Sequence, residues 1–308
     1  MIVTGIDYFQ GIGKFSSLKN LNGFLRRIGA EINDEISYSN RRFWTGISFD
    51  KSFKSLRGIK GGYSNEGDNL KAIIIASGEY LNQIPDHLKW AREIRHRVKV
   101  TRVDIRLDDY RRRVTSEQLK RVVEKGNYTL LEASKILDSK ISFGSPKEGT
   151  IYFGSPKSNK LIRFYNAETI HEISADRWEA QFRRERAELV WDEILNLTNQ
   201  ADLAQFVTGS VDFRDREQGD KNLSRCPRLE FWQSLIDEAA GAYNESLPPK
   251  NPSLEKTLRW LDRQVGPSLA MVYDGYGEEY LVKCIAQWRQ KYNNFQQLTI
   301  KEMRGQNG

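Results

Sequence analysis

The stretch TRVDIRLD, residues 101–108, alternates apolar and charged side chains along its length. Successive side chains of a β-strand point to opposite sides of the sheet, so this stretch has two different faces. Val103, Ile105 and Leu107 share the apolar face. The charged face carries Arg102, Asp104, Arg106 and Asp108. The stretch therefore predicts a strand that is buried on one side and charged on the other.

Two later stretches show the same alternation, at residues 160–166 (KLIRFYN) and 177–183 (RWEAQFR). Their apolar faces carry Ile162, Phe164, Trp178, Ala180 and Phe182. If the three strands share one sheet, the apolar faces form the core and the polar faces converge on the other side. The side chains expected to converge are Asp104, Asp108, Arg163, Tyr165, Arg177 and Glu179.

The residue types on this polar face suit phosphoryl chemistry. Carboxylates are the oxygen ligands that Mg²⁺ and Mn²⁺ prefer, and a bound cation can polarise a scissile phosphate. Arginine binds phosphate oxygens in a bidentate manner, and a tyrosine hydroxyl can attack phosphorus as a covalent nucleophile. A second interpretation fits the same spacing, namely a solvated sheet face crossed by salt bridges between strands. The alternation alone leaves both interpretations open.

The rest of the chain predicts an α+β protein in which an antiparallel sheet comes first and helices come last. Strands are predicted at residues 2–9, 41–49, 70–77, 99–107, 149–154, 160–166 and 177–186. Helices are predicted at residues 18–28, 85–98 and 115–125, the last with a start signal at Thr115 or Ser116. The Gly-rich segment 59–68 predicts a turn. Helical spacing dominates after Trp191, and the one strong linker-like break contains Pro248, Pro249 and Pro252.

The composition limits the class of protein. Hydrophobic residues make up 39% and charged residues 29% of the 308-residue chain, which is typical of a folded, soluble protein. The 48 Lys and Arg outnumber the 41 Asp and Glu, and this net charge of +7 favours an anionic partner such as nucleic acid. Two cysteines exclude a disulfide framework, and the spacing of the three histidines disfavours a His-based metal site. Without a signal-peptide pattern or a membrane-length apolar run, a cytoplasmic location with no membrane partner is predicted.

Three blocks of the sequence carry a family resemblance. They are RVDIRLD at residues 102–108, TIYFGSPKSNKLIRFYN at 150–166 and RWEAQF at 177–182. In order and approximate spacing they resemble the motifs of the replication initiation factor family, which includes rolling-circle initiators and related relaxases of mobile elements. The second block is long and specific. The resemblance extends over residues 1–190 and is strongest over residues 100–185.

The resemblance implies a rolling-circle replication initiator, a metal-dependent enzyme that nicks and rejoins DNA at a specific site through a 5′-phosphotyrosine intermediate. It places the nucleophile at Tyr165 and the metal-binding acids at Asp104 and Glu179, with Asp108 as a third position. Mg²⁺ or Mn²⁺ is the expected cofactor. Arg163 is the expected clamp on the scissile phosphate.

The expected partner is origin DNA, as a duplex with a nicked or extruded single strand. The residues expected to bind this DNA are Arg102, Arg106, Arg111, Arg112, Lys157, Lys160, Arg177 and Arg183. Several family members have lysine where this chain has Ala167. Two expectations stay open: either Lys157 or Lys160 substitutes for that lysine, or its role is weaker in this chain. The sequence lacks a phosphate-binding loop, so strand separation implies a host helicase as a partner. A homodimer is the other expected assembly.

Resemblance and residue pattern together predict two domains. Residues 1–195 form the expected DNA nicking and joining domain, with its catalytic sheet mainly at 99–187. Residues 196–308 form a helical C-terminal region for DNA binding or dimerisation. Two alternative functions stay open: a relaxase of a conjugative element with the same chemistry, and a catalytically inactive DNA-binding homologue.

The remaining candidate residues are expected to be structural. His171 follows Tyr165 by six residues and is expected on a surface turn rather than in proton transfer. Burial in the core is expected for Trp44, Trp178, Trp232, Cys226 and Cys284.

Overall fold

A computed structural model of the chain divides into two compact units, residues 1–247 and residues 248–308. The residues that the structure describes are 1–29, 35–95, 97–130, 141–143, 150–155, 157–171, 173–216, 222–239 and 265–290. The division between the units falls at the predicted proline break. The first unit therefore continues past residue 195, where a domain boundary was predicted.

Strands dominate the first unit. In chain order they are β1 (Ile2–Phe15), β2 (Ile36–Ser39), β3 (Phe43–Trp44), β4 (Ser48–Phe49), β5 (Lys51–Ser55), β6 (Lys60–Glu66), β7 (Asn69–Ala76), β8 (Val98–Asp109), β9 (Tyr128–Leu130), β10 (Ile141–Phe143), β11 (Ile151–Phe153), β12 (Lys160–Asn166), β13 (Asp176–Arg183) and β14 (Val211–Phe213). Within the described residues, ten of them form one sheet in the order β10-β11-β12-β13-β8-β1-β7-β6-β5-β2. Neighbouring strands in it are antiparallel, so the predicted fold class is confirmed.

Helices connect and cover the strands. They are α1 (Leu18–Ile28), α2 (Gly78–Leu81), α3 (His87–Ile94), α4 (Ser116–Glu124), α5 (Glu168–His171), α6 (Glu185–Asn196), α7 (Ala204–Thr208), α8 (Glu230–Glu238) and, in the second unit, α9 (Gly266–Arg289). Helix α4 begins with a capping box at Thr115, one of the two predicted start positions. The Thr115 hydroxyl accepts the backbone N–H of Gln118, and the Gln118 side chain accepts the backbone N–H of Thr115.

The apolar faces predicted from the alternation form the core. Ile105 of β8 lies in register with Ile6 of β1, and both side chains are fully buried. Helices α3 and α6 cover this face of the sheet. Trp90 and Trp191 from these helices both contact Phe9, and their ring centroids lie 5.4 and 5.0 Å, respectively, from that of Phe9. Burying each large apolar side chain contributes about 1.5–3 kcal/mol, so this layer is a major source of stability.

The segment after residue 195 completes the same core. Trp178 of β13 contacts Trp232 of α8 and Phe213 of β14, with ring centroids 5.0 and 5.6 Å apart. Strand β14 also pairs with β9, in a separate small sheet. The burial predicted for Trp178 and Trp232 is confirmed. These contacts are the reason that the first unit extends beyond the predicted boundary.

Two predictions of burial and one predicted strand are wrong. The expected strand at 41–49 is divided into β3 and β4, a small hairpin that turns at Gly46 with a φ of +75°. Trp44 lies on this hairpin and is 73% exposed instead of buried. Cys226 is buried as predicted, whereas Cys284 of α9 is only half-buried.

The glycines of segment 59–68 do not mark the turn that was predicted there. This segment forms strand β6 rather than a turn. A Cβ atom on Gly61 would lie 2.0 Å from the carbonyl oxygen of Ile73, and one on Gly62 would lie 2.6 Å from the Cβ of Phe43. The glycines therefore permit close contact with neighbouring elements in an extended strand.

Replacing Gly61 by alanine should lower the free energy of unfolding by about 3 kcal/mol, because the added methyl group overlaps the backbone of β7. The matched control is Gly23→Ala in helix α1, where a Cβ atom meets no other atom within 4 Å. That change should instead stabilise the protein by up to about 1 kcal/mol, since alanine favours helix. Urea denaturation measures both, and equal effects of the two substitutions would contradict the packing role of Gly61.

Candidate active site

Strands β12, β13 and β8 are neighbours in the sheet and bring the predicted polar faces side by side. Three rows of residues lie in register across them: Leu161–Gln181–Asp104, Arg163–Glu179–Arg106 and Tyr165–Arg177–Asp108. Directly opposed residues of antiparallel strands have Cβ atoms about 4.5–5.5 Å apart. The register therefore brings all six residues that were expected to converge onto one face of the sheet.

Tyr165 lies within this face and is only 4% exposed. Its hydroxyl donates a hydrogen bond to Oε1 of Glu179 and lies 3.2 Å from Nε2 of His171. Burial, and after it the negative charge of Glu179, raise the pKa of Tyr165 above its ordinary value. The tyrosine is therefore protonated at neutral pH and needs a proton acceptor to become a nucleophile.

His171 reaches Tyr165 from helix α5, which follows β12 directly. The backbone N–H of His171 donates to the carbonyl of Ala167 at 2.7 Å, and this turn brings the imidazole beside the tyrosine ring. Partial desolvation of the imidazole, and after it the charge of Arg177, lower the pKa of His171 and favour the neutral ring. His171 is exposed, as expected, but it also contacts Tyr165, and the sequence pattern did not favour that contact.

Glu179 is the central residue of the site, with 2% of its surface exposed. Tyr165 bonds to one of its carboxylate oxygens, and Nη2 of Arg163 bonds to the other. Burial raises the pKa of Glu179 to about 7, although the charge of Arg163 opposes this rise. A carboxyl group that titrates near neutral pH is well suited to proton transfer.

Asp104 is held by three side chains. Arg102 binds both of its oxygens, Nε to Oδ1 at 2.8 Å and Nη2 to Oδ2 at 2.5 Å. Gln181 donates from Nε2 to Oδ2 at 3.0 Å, and Nη2 of Arg163 lies 3.3 Å from the same oxygen. Arg163 therefore links Asp104 to Glu179 across the strands.

Asp108 belongs to a separate part of the face. Arg177 binds both of its oxygens, at 2.5 and 3.0 Å, and each of these two side chains is almost completely buried. Asp7 of β1 adds a second carboxylate there, 3.4 Å from Arg177 and 3.6 Å from Arg106. The charges of this cluster thus compensate each other within the protein.

Asp7 was not predicted from the sequence. The register of β1 against β8 shifts between Ile6 and Tyr8, which leaves Asp7 as an extra residue in a β-bulge. A bulge re-aims the side chain that it carries, and here it aims the carboxylate towards two arginines. Gly78 allows the close approach, since a Cβ atom there would lie 3.1 Å from Oδ1 of Asp7. The weak alternation of residues 2–9 gave no signal for the bulge.

The three predicted metal ligands do not form one cluster. Within the described residues, no group of three or more His, Cys, Asp or Glu side chains is placed to hold a metal ion. Asp108 is engaged by Arg177, whereas Asp104 and Glu179 both bind one nitrogen of Arg163. This cationic nitrogen shows that the pair can hold a positive charge between its oxygens. The pair therefore fits a divalent cation whose other ligands are water and phosphate.

The residues expected to bind DNA differ in accessibility. Arg111, Arg112 and Lys157 are exposed, whereas Lys160 and Arg177 are buried. Burial keeps these last two side chains away from the surface that DNA could reach. Arg102, Arg106 and Arg183 are partly exposed.

Comparison with known proteins agrees with this fold. A sequence model of the replication initiation factor family matches residues 98–285, more than half of the chain. This protein therefore belongs to the replication initiation factor family. The structure is similar to that of a rolling circle replication initiator protein from Geobacillus stearothermophilus, with a TM-score of 0.60 and 17% sequence identity. The match covers 79% of this chain and 98% of the other, which shows a shared fold.

Two further findings are negative. No curated protein matches the sequence significantly. In the part of the chain that the structure describes, none of the helices is both long and apolar enough to cross a membrane.

Replacing Glu179 by glutamine should change how stability depends on pH. The unfolded chain loses the Glu179 proton near the ordinary pKa of 4.5, whereas the folded protein keeps it up to about 7. The folded state therefore binds more protons between these values. Over that window the free energy of unfolding of the native protein should fall relative to Glu179→Gln, by at most about 1.4 kcal/mol per pH unit.

Urea denaturation at several pH values between 4.5 and 8 measures this difference. Glu117→Gln is the control, since Glu117 is an exposed carboxyl group on α4 that pairs with Arg121. The quantity to follow is the free energy of unfolding of the native protein minus that of Glu179→Gln. If this difference stays constant or rises as the pH rises, the raised pKa of Glu179 is contradicted.

Proposed function

We propose that this protein initiates rolling-circle replication as a metal-dependent enzyme that nicks and rejoins DNA at a specific site. The observation that supports the proposal is the hydrogen bond from the Tyr165 hydroxyl to Glu179 on an arginine-rich sheet face. A hydroxyl with a proton acceptor in contact is the arrangement of an activated nucleophile. The proposed substrate is origin DNA with an unpaired strand at the cleavage position.

Tyr165 is the proposed nucleophile. Its hydroxyl oxygen forms a bond to phosphorus while the bond between phosphorus and the 3′ oxygen breaks. The 5′-phosphate stays on the tyrosine, and the leaving oxygen takes up a proton and becomes a 3′-hydroxyl that can prime synthesis. Because the phosphotyrosine conserves the energy of the phosphodiester, attack by a 3′-hydroxyl can rejoin the strand without a nucleotide cofactor.

The tyrosine proton has two acceptors within reach, Oε1 of Glu179 and Nε2 of His171. The charge of Glu179 is one cause of the raised pKa of Tyr165. With a cation held by Glu179, the charge of this carboxylate would oppose the ionisation of Tyr165 less. The neutral imidazole of His171 would then serve as the proton acceptor.

Asp104 and Glu179 are the proposed ligands of Mg²⁺ or Mn²⁺, which when bound would polarise the scissile phosphate and offset its developing charge. Arg163 contacts both acids in this structure, and its side chain is 26% exposed. The side chain can therefore turn from the carboxylates to a phosphate oxygen. This movement would make Arg163 the clamp on the scissile phosphate.

The remaining partners are also part of the proposal. Arg111, Arg112 and Lys157 offer exposed positive charge to the DNA backbone. A host helicase would separate the strands, and the region 196–308 would add DNA contacts or a dimer interface. A cytoplasmic location stays a prediction. A conjugative relaxase would share this chemistry, and neighbouring transfer genes would identify it.

Tyr165→Phe should abolish nicking of a supercoiled plasmid that carries the cognate origin, because the attacking oxygen is removed. The covalent protein–DNA adduct should disappear as well, while DNA binding stays within about twofold. Tyr152→Phe is the matched control, since Tyr152 lies on β11 directly opposite Arg163. Gel electrophoresis measures nicking and adduct together. An adduct that persists in Tyr165→Phe would exclude Tyr165 as the nucleophile.

Asp104→Asn should weaken Mn²⁺ binding by at least about tenfold, because one of the two proposed carboxylate ligands loses its charge. Asp108→Asn should leave Mn²⁺ binding unchanged but lower the free energy of unfolding by about 3 kcal/mol, since Arg177 loses its buried partner. Calorimetric titration with Mn²⁺ and urea denaturation separate the two effects. Equal loss of Mn²⁺ binding in both variants would assign Asp108 to the metal site.

A further inference from the structure

Strands β3 and β4 with the turn between them form a short hairpin, residues 43–49, which we call the aromatic hairpin. Phe43 pairs with Phe49, and Trp44 pairs with Ser48. The backbone N–H of Thr45 donates to the carbonyl of Ile47 at 3.2 Å and closes the turn. The hairpin therefore has a defined shape of its own.

The aromatic hairpin is attached to the same sheet face as the proposed catalytic residues. Phe43 and Phe49 pack into a small apolar cluster that includes Tyr8 of β1. Tyr8 lies in register with Asp104, and the guanidinium of Arg102 lies 4.1 Å from the centre of its ring. A continuous layer of side chains thus connects the hairpin to the candidate active site.

The outer side of the hairpin is apolar and open to solvent. Trp44 is 73% exposed and Ile47 is 47% exposed, whereas Phe49 is buried against the sheet. Tryptophan is highly buried on average in folded proteins, so this exposure needs a cause other than folding. The large flat face of the indole is available to a partner.

The surroundings of the aromatic hairpin are positively charged. Residues 35–60 contain six Lys and Arg but only two acids. The exposed basic side chains next to the hairpin are Arg41, Arg42, Lys51 and Lys54. In the described part of the chain, none of these four forms an ion pair with an acid. A partner with negative charge and flat apolar surfaces fits this combination.

We propose that the aromatic hairpin binds single-stranded DNA, with Trp44 stacked on an unpaired base and Arg41 and Arg42 on the flanking phosphates. Single strands offer both features, because an unpaired base exposes the face that a duplex hides in its stack. The proposal rests on the proposed function, in which an unpaired strand lies at the catalytic face. It adds a second contact on that strand, away from the scissile phosphate.

Trp44→Ala should weaken binding of single-stranded DNA by roughly 5- to 150-fold, which corresponds to about 1–3 kcal/mol for one stacked base. Fluorescence anisotropy measures it with a labelled oligothymidine of about 16 nucleotides and with a blunt duplex of equal length. Tyr165→Phe protein serves as the background, so that cleavage does not interfere. Binding of the duplex should change by less than about twofold.

Two controls test whether stacking is the cause. Trp44→Phe keeps an aromatic face and should retain most of the affinity for the single strand. Leu189→Ala removes a partly exposed apolar side chain from helix α6, on the opposite face of the sheet, and should have no effect on binding.

The phosphate contacts are tested separately. Replacing both Arg41 and Arg42 by alanine should lower the salt dependence of single-strand binding by about 1.4 in the slope of log affinity against log salt concentration.

Several results would overturn the proposal. These are unchanged single-strand affinity in Trp44→Ala, equal loss for single strand and duplex, or a native dimer that Trp44→Ala converts to monomer in sedimentation. The last result would assign the hairpin to self-association. If the native protein fails to nick origin DNA but the Trp44 effect remains, the nicking proposal fails and the stacking proposal stands.

Discussion

The burial of Glu179 is the constraint on which the rest of the site depends. A carboxylate away from water costs several kcal/mol unless charged or polar partners surround it. Arg163 and Tyr165 supply those partners from the neighbouring strand, so the register of β12 on β13 has to be fixed. The core fixes it, because a slip of one residue would send every side chain to the wrong face. Phe164 and Trp178, with ring centroids 4.5 Å apart, hold the strands in place on the apolar side.

The alternation of side chains predicted this arrangement well. It assigned Asp104, Tyr165 and Glu179 to polar faces, and the registers of the three strands agree. The reason is that a half-buried strand has a strict period of two, which the sequence displays directly. The identity of partners was not predictable in this way. Which arginine binds which acid depends on strand order, and strand order is a property of the whole sheet.

The features that the sequence did not predict depend on contacts with residues that are distant in the chain. The bulge at Asp7 depends on how β1 pairs with β8, and the extended conformation of the glycines in β6 depends on contacts with β7 and the aromatic hairpin. The predicted strand 177–186 ends at Arg183, because Arg184 adopts a φ of 55° and helix α6 begins at Glu185. Local pattern did not separate strand from helix at this point. Trp44 was predicted to be buried from its residue type alone. Residue type does not show whether the surrounding fold covers a particular side chain.

The contact of Trp178 with Trp232 and Phe213 limits how far the protein can be shortened. Trp178 is the neighbour of Glu179 in β13, and its ring faces the opposite side of the sheet. A fragment that stops at residue 195 would remove two of the aromatic side chains that cover this ring and loosen the strand that carries Glu179. A stably folded fragment must therefore retain residues up to the end of α8 at Glu238. Residues after 195 therefore pack against the apolar side of the strand whose polar side carries Glu179.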